Sequence, residues 1–151
     1  MLKKPNAGWS ELSIGQFKRE VGNLTDVPCD LIKAFSNFFD YGSGVSSFNC
    51  EPYQFDLIFS YTMGVGVAQI AYIVDCESEI FCENIKIPDL AKEFIEDIKS
   101  NIDAWSKWHG FQDNYSKVDE KYKKKILKGI KSLEKKLEEN NNKFKVYVKK
   151  S

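Results

Sequence analysis

The longest regular alternation of apolar and polar side chains lies in residues 53–62. Its odd positions carry Tyr, Phe, Leu, Phe and Tyr, and its even positions carry Gln, Asp, Ile, Ser and Thr. Successive side chains of a strand point to opposite faces of the sheet. The pattern therefore predicts a strand with one buried face, and we place it at the centre of a sheet.

Three further strands are predicted around this one. Segments 45–51 and 80–87 carry short apolar patterns. Segment 67–75 is almost continuously apolar, which is typical of a strand covered on both faces. Turns rich in glycine or in acidic residues separate these segments. We therefore expect a meander of about four antiparallel strands.

Helical spacing of apolar residues predicts two helices before the sheet and two after it. The first begins at a Ser-x-x-Gln capping box at Ser13 and runs to residue 22. The second begins at Pro28 and ends before the glycines near residue 42. The helices that follow the sheet are predicted from Pro88 to Gly110 and over 117–139.

These elements together predict one α+β domain over residues 13–139. A loose lead-in would occupy residues 1–12, and an edge strand or a tail would occupy 140–151. A chain of 151 residues is long enough to bury one substantial core. No apolar run reaches the roughly 20 residues of a membrane helix, and no signal peptide is apparent. We expect a cytoplasmic protein that does not bind membranes.

The charge is distributed unevenly along the chain although its formal net value is zero. Residues 1–115 hold 9 Lys+Arg and 17 Asp+Glu, a net charge of −8, and residues 116–151 hold 13 and 5, a net charge of +8. This asymmetry indicates an acidic body with a basic C-terminal helix. The lysines of that helix form either a solvated face, a surface that pairs with the acidic body, or a nucleic-acid site. Arg19 is the only arginine and aromatic residues are not interleaved with the lysines, which argues against nucleic acid.

Candidate catalytic and metal-binding residues are few. The only histidine, His109, is predicted at a helix end, where a cation is favourable. The cysteines lack the Cys-x-x-Cys spacing of zinc sites, so they are interpreted as buried thiols, with a disulfide as the alternative in an exported protein. We expect no metal, no cofactor and no enzymatic activity. The four cysteines are Cys29, Cys50, Cys76 and Cys82.

Two acidic clusters are candidate binding surfaces. One surrounds a turn of the predicted sheet, and the other surrounds the second predicted helix. A solvated rim, a surface that recognises a basic partner, and a catalytic carboxylate pair are all compatible with these residues. The first cluster comprises Asp75, Glu77, Glu79 and Glu83 with Tyr72 nearby, and the second comprises Asp26, Asp30 and Asp40.

The layout of segments 12–17, 26–31, 35–39, 48–51 and 102–105 resembles that of the bacterial immunity proteins of contact-dependent growth inhibition and polymorphic toxin systems, over roughly residues 10–108. The resemblance lies in the layout of five segments and not in a diagnostic motif. It implies a small, cofactor-free domain that is acidic on its toxin-facing side and acts by occluding a toxin's active site.

The resulting hypothesis is an immunity-type protein that neutralises a cognate toxin domain, with a nuclease as the candidate toxin. A nuclease cleft must attract phosphate, so an acidic inhibitor is complementary to it. Both acidic clusters are candidate contact surfaces for such a basic partner. The alternatives are a non-enzymatic ligand-binding or adaptor domain, and a small hydrolase or transferase that uses carboxylates.

Overall fold

The computed structural model describes the backbone of residues 1–62, 65–74, 77–83, 85–109 and 115–149. Side chains are described for residues 1–61, 79–83, 85–109 and 115–140. The described part of the chain is α+β, with these elements in order: β1 (Trp9–Ile14), β2 (Phe17–Gly22), α1 (Val27–Tyr41), β3 (Ser43–Asn49), β4 (Tyr53–Thr62), β5 (Val65–Val74), β6 (Glu77–Glu83), α2 (Ile87–Ser100), α3 (Ile102–Trp105) and α4 (Glu120–Lys149).

The described residues form two antiparallel sheets. Strands β3, β4, β5 and β6 form a meander in that order, and β1 and β2 form a separate hairpin. Strand β4 has the bounds that its alternating pattern predicted. Its side chains at Phe55, Leu57 and Phe59 are buried.

The core lies between the inner face of the meander and the elements that cover it. Phe17 of the hairpin packs edge-on against Phe55 at 5.1 Å between ring centroids. Phe35 of α1 stacks on Phe59 at 4.6 Å and contacts Phe94 of α2 at 5.4 Å. Offset and edge-on contacts of this kind add to the hydrophobic stabilisation of the buried rings. The aromatic residues therefore join three elements to one face of the sheet.

The predicted arrangement of helices is wrong at the N-terminus, because residues 13–22 form most of a β-hairpin. Ile14 pairs with Phe17 across a two-residue turn at Gly15 and Gln16, and Gly15 has a φ of 55°. Such a turn places residues i and i+3 opposite each other on one face. Apolar residues at 14, 17 and 21 therefore satisfy both a helical and a hairpin pattern. Only one helix, α1, precedes the meander.

The N-terminal segment also differs from the predicted loose lead-in. Met1 and Leu2 are buried, and Leu2 forms an antiparallel bridge with Leu12. The backbone N–H of Leu2 donates a hydrogen bond of 2.7 Å to Asp97 in α2. This segment is thus a part of the packed domain.

The C-terminal helices differ from the prediction in two ways. The helix predicted from Pro88 to Gly110 is interrupted at Asn101, whose φ and ψ of −127° and 28° are not helical, so α2 and α3 are separate. Helix α4 continues to Lys149, so residues 140–149 are not an edge strand. Asparagine is a weaker helix former than alanine, but its cost inside a helix is far below that of proline. The three asparagines at 140–142 therefore do not end α4.

Helix α4 begins at a capped N-terminus and lies along the body of the protein. The Asp119 carboxylate accepts a hydrogen bond of 3.0 Å from the backbone N–H of Tyr122, which is a typical N-cap contact. The predicted apolar line on α4 is buried against the domain at Tyr122, Ile126, Ile130, Leu133 and Leu137.

Candidate functional site

Asp26 is the centre of a polar cluster that joins α1 to α4. Its carboxylate accepts hydrogen bonds from the Tyr122 hydroxyl at 2.6 Å and from the Cys29 backbone N–H at 3.4 Å. The Lys125 ammonium lies 3.3 Å from its second oxygen. His109 Nε2 lies 3.8 Å from the first oxygen. The contact between Asp26 and Tyr122 spans 96 positions, so no local pattern could have predicted it.

The ionisation of this cluster follows from its contacts. Burial raises the pKa of Asp26, but the hydrogen bonds from Tyr122 and Cys29 and the charge of Lys125 together lower its pKa below the usual value. Burial and the hydrogen bond to Asp26 raise the pKa of Tyr122. Burial and the Asp26 charge raise the pKa of Cys29 to about 11. The Cys29 thiol is therefore protonated at neutral pH, a state unsuited to nucleophilic attack.

We expect Tyr122→Phe to lower the free energy of unfolding at pH 7 by about 1–3 kcal/mol, since it removes a hydrogen bond to a charged group. The folded-state pKa of Asp26 is lowered from 3.8. Its contribution to stability is therefore fully present above that value and is lost as the pH falls through the lower folded-state pKa. Urea unfolding at pH 7 and at about pH 3 should show a smaller cost in acid.

Tyr41→Phe provides the control for this measurement, because Tyr41 is largely exposed at the end of α1. It should leave the unfolding midpoint unchanged at both pH values. An equal loss of stability for Tyr122→Phe at both pH values would show that the ionised Asp26 is not the relevant partner.

The remaining acidic residues of α1 have different surroundings. Asp40 forms an ion pair with Lys136 of α4, with 2.6 and 2.7 Å between the ammonium and its two oxygens. Burial and the neighbouring Asp26 charge raise the pKa of Asp30. Lys123 of α4 also pairs with Asp103 at 2.6 Å. Lysines of the basic helix thus pair with the acidic body, which was one of the alternatives that the sequence left open.

The sheet cluster is only partly covered by the structure. Asp75 lies outside the described residues, as do the side chains of Tyr72 and Glu77. Glu79 is exposed in β6. Glu83 accepts a hydrogen bond of 2.9 Å from the backbone N–H of Gln16, so its carboxylate holds the hairpin turn against β6.

Strand pairing brings two further carboxylates to this end of the sheet, and the sequence analysis did not include them among the candidate binding residues. Tyr53, at the start of β4, pairs with Val74, which pairs with Glu77. The β3–β4 turn containing Glu51 therefore lies at the same end of the sheet as Val74 and Glu77. The Tyr53 hydroxyl donates a hydrogen bond of 2.7 Å to the Glu20 carbonyl oxygen, which places β2 there as well.

We refer to Glu20, Glu51 and Glu79 as the acidic end of the sheet. All three side chains are exposed, and among the described residues none forms an ion pair. Two exposed apolar residues are close in the fold to β2: Trp9, which is 50% exposed and pairs with Gly22, and Leu24, which is 59% exposed and follows the end of β2. The acidic end thus combines uncompensated charge with exposed apolar surface.

No protein-family model, curated protein or solved structure matches this chain.

A polar cleft of about 500 Å³ lies between the N-terminal segment and α3. Its lining includes Lys4, Asn6, Asn101, Asp103, Lys107 and Trp108. Ala7 and Tyr115, which also line it, have left-handed φ angles of 47° and 55°. Non-glycine residues adopt this conformation at a cost, and such residues are concentrated at functional sites.

Other classes of site receive little support from the described residues. They contain no group of three or more potential metal ligands of the His, Cys, Asp and Glu types. Within the same ranges, no helix combines the length and apolarity needed to cross a membrane. Cys50 is buried and Cys29 is half-buried, and both are free thiols.

Proposed function

We propose that this chain is a cytoplasmic, non-enzymatic inhibitor of the immunity type, which binds a basic toxin domain and occludes its active site. The observation that supports the proposal is the acidic end of the sheet. Its three exposed carboxylates have no cationic partner in the described structure, whereas Asp26 and Asp40 are paired with lysines of α4. Three of the carboxylates that have no cationic partner among the described residues therefore lie at the same end of the sheet.

The physical argument concerns both charge and apolar area. A protein that cleaves nucleic acid has a cleft that attracts phosphate, and clustered carboxylates are complementary to such a cleft. Complementary fields raise the association rate, while buried aromatic and apolar anchors supply most of the affinity. Trp9, which pairs with Gly22 two residues after Glu20, and Leu24, which follows β2, are exposed apolar side chains that would provide such anchors.

Affinity purification from the native lysate, at low and at moderate salt, tests this proposal. We expect one stoichiometric partner with a toxin domain, and retention that weakens as salt screens the charges. The double variant Glu20→Lys and Glu51→Lys should lower the partner's association rate by at least about tenfold. The association rates of the native protein and the double variant are measured by surface binding kinetics with the captured partner.

A matched control uses two exposed carboxylates of α2 and α4. Glu96→Lys and Glu138→Lys together make the same change in net charge away from the acidic end, and should alter the association rate by less than about threefold. Capture of no partner at either salt concentration would contradict the function. Equal effects of the two double variants would contradict the location of the contact surface.

The cleft beside α3 favours a second candidate function, the binding of a small polar ligand. Its volume of about 500 Å³ lies within the usual range of ligand sites, and Lys4 and Lys107 supply positive charge. A ligand-binding domain would carry a small molecule through purification, and native mass spectrometry would detect the added mass. This alternative does not explain the acidic end, so we rank ligand binding second.

A further inference from the structure

Strand β6 is an edge of the meander, since it pairs with β5 on one side and with no strand of the described chain on the other. An edge strand presents unpaired backbone N–H and C=O groups along its free side. These groups form a template to which an extended segment of another protein can add as a further strand.

The opposite edge of the same sheet is less accessible. Helix α1 covers the inner face of β3, where a Cβ atom at Gly44 would overlap the Ala34 carbonyl. At its other end, the Asn49 backbone N–H donates a hydrogen bond of 3.0 Å to the Thr25 hydroxyl. The two edges therefore differ, because among the described residues only β5 pairs with the backbone of residues 79–81 of β6.

The side chains of β6 divide by face. Phe81 packs against Phe17 at 5.4 Å, and Glu83 holds the hairpin turn, so the inner face is anchored in the domain. On the outer face Ile80 is 74% exposed at the middle of the strand. An isoleucine this exposed gains from contact with an apolar residue of an added strand.

Charge decides which kind of segment fits this edge. A second copy of β6 pairing with the first would bring carboxylates such as Glu79 close to their own counterparts, and like charges opposed across two strands are destabilising. A segment that alternates lysine or arginine with apolar residues would instead oppose Glu79 with a positive charge and cover Ile80. The acidic edge thus disfavours self-association and selects a basic strand.

We propose that β6 binds its partner by strand addition, with an extended basic and apolar segment of the toxin domain as the added strand. The identity of the partner rests on the function proposed above, whereas the accessibility and charge of the edge do not.

The first test uses two synthetic peptides, an acetylated Lys-Val repeat and an acetylated Glu-Val repeat of equal length. With ¹⁵N-labelled protein, the basic peptide should slow amide hydrogen exchange in residues 79–83 by at least about tenfold and leave residues 43–49 unchanged. The acidic peptide should slow neither segment. Equal protection of both edges, protection of neither, or equal effects of the two peptides would overturn the proposal.

Two variants at exposed apolar residues sharpen this test. Ile80→Ser should weaken binding of the basic peptide by at least about fivefold. Val45→Ser on β3, where Val45 is 53% exposed, should leave binding unchanged. Equal weakening by the two variants would show that the peptide does not recognise β6.

The same exchange measurement on the captured partner complex separates the two proposals. Protection of residues 79–83 in the complex supports strand addition. A stoichiometric partner that leaves these amides unprotected would overturn strand addition while the inhibitory function stands. Binding of the basic peptide to β6 without any partner in the lysate would leave the edge site standing and contradict the function.

Discussion

Ile98→Asp is expected to unfold the domain. Ile98 lies in α2 with 0% of its surface exposed, among the buried residues of the core. A carboxylate at this position loses its hydration without gaining a partner, which costs several kcal/mol in addition to the lost apolar contact. Because small domains are stable by only about 5–15 kcal/mol, the folded state should no longer be populated at neutral pH. Circular dichroism would detect the unfolded state of this variant, and its thermal melt should show no cooperative transition.

The matched control places the same substitution at an exposed isoleucine. Ile80→Asp in β6 should cost no more than about 1 kcal/mol, the range of strand propensities, because Ile80 is already 74% exposed. Ile98→Ala should be intermediate, with a loss of about 2–5 kcal/mol from the cavity. A folded, cooperative Ile98→Asp variant would show that α2 is not a part of the core.

Gly44→Ala is expected to lower the free energy of unfolding by about 3 kcal/mol, at the upper end of the usual cost of overpacking. The added Cβ would overlap the carbonyl oxygen of Ala34 and lie 2.7 Å from its carbonyl carbon. The obstructing atoms belong to the backbone of α1, so no side-chain rotation relieves the overlap. Either β3 or α1 must move, and urea unfolding should measure the loss.

Gly129→Ala is the control for Gly44→Ala. In α4 an alanine is favoured over glycine by about 1 kcal/mol, and the new methyl group would meet the end of the flexible Ile32 side chain at 3.0 Å. We expect little net change in stability. A Gly44→Ala protein as stable as this control would mean that α1 and β3 do not pack as closely as described.

The predictable part of this fold is the part whose signal is local. Alternation over 53–62 predicted β4 with its observed bounds, because side-chain direction in a strand depends on neighbouring residues alone. The stripe on α4 was predicted in the same way, and Ile126, Ile130 and Leu133 are buried. The hairpin at 9–22 was missed because its apolar spacing is shared by a helix and a two-residue turn.

The candidate site was less predictable. The negative charge of the body and the positive charge of the last helix were evident from composition, but composition does not say which charges meet. The ion pairs of Asp26 with Lys125 and of Asp40 with Lys136 join residues 99 and 96 positions apart. Glu20 and Glu51 belong to the acidic end only because the hairpin and the β3–β4 turn lie at the same end of the meander.

The sequence by itself therefore determined the α+β class, the apolar faces of α1, β4 and α4, and the opposite charges of the body and the last helix. Each of these depends on spacing along the chain or on a sum over it. Tertiary structure alone decided that lysines of α4 pair with Asp26 and Asp40, that Glu20, Glu51 and Glu79 have no ion-pair partner among the described residues, and that β6 pairs only with β5 in the described part of the chain. These properties depend on which residues distant in sequence come into contact, and those contacts are set by the packing of the whole core.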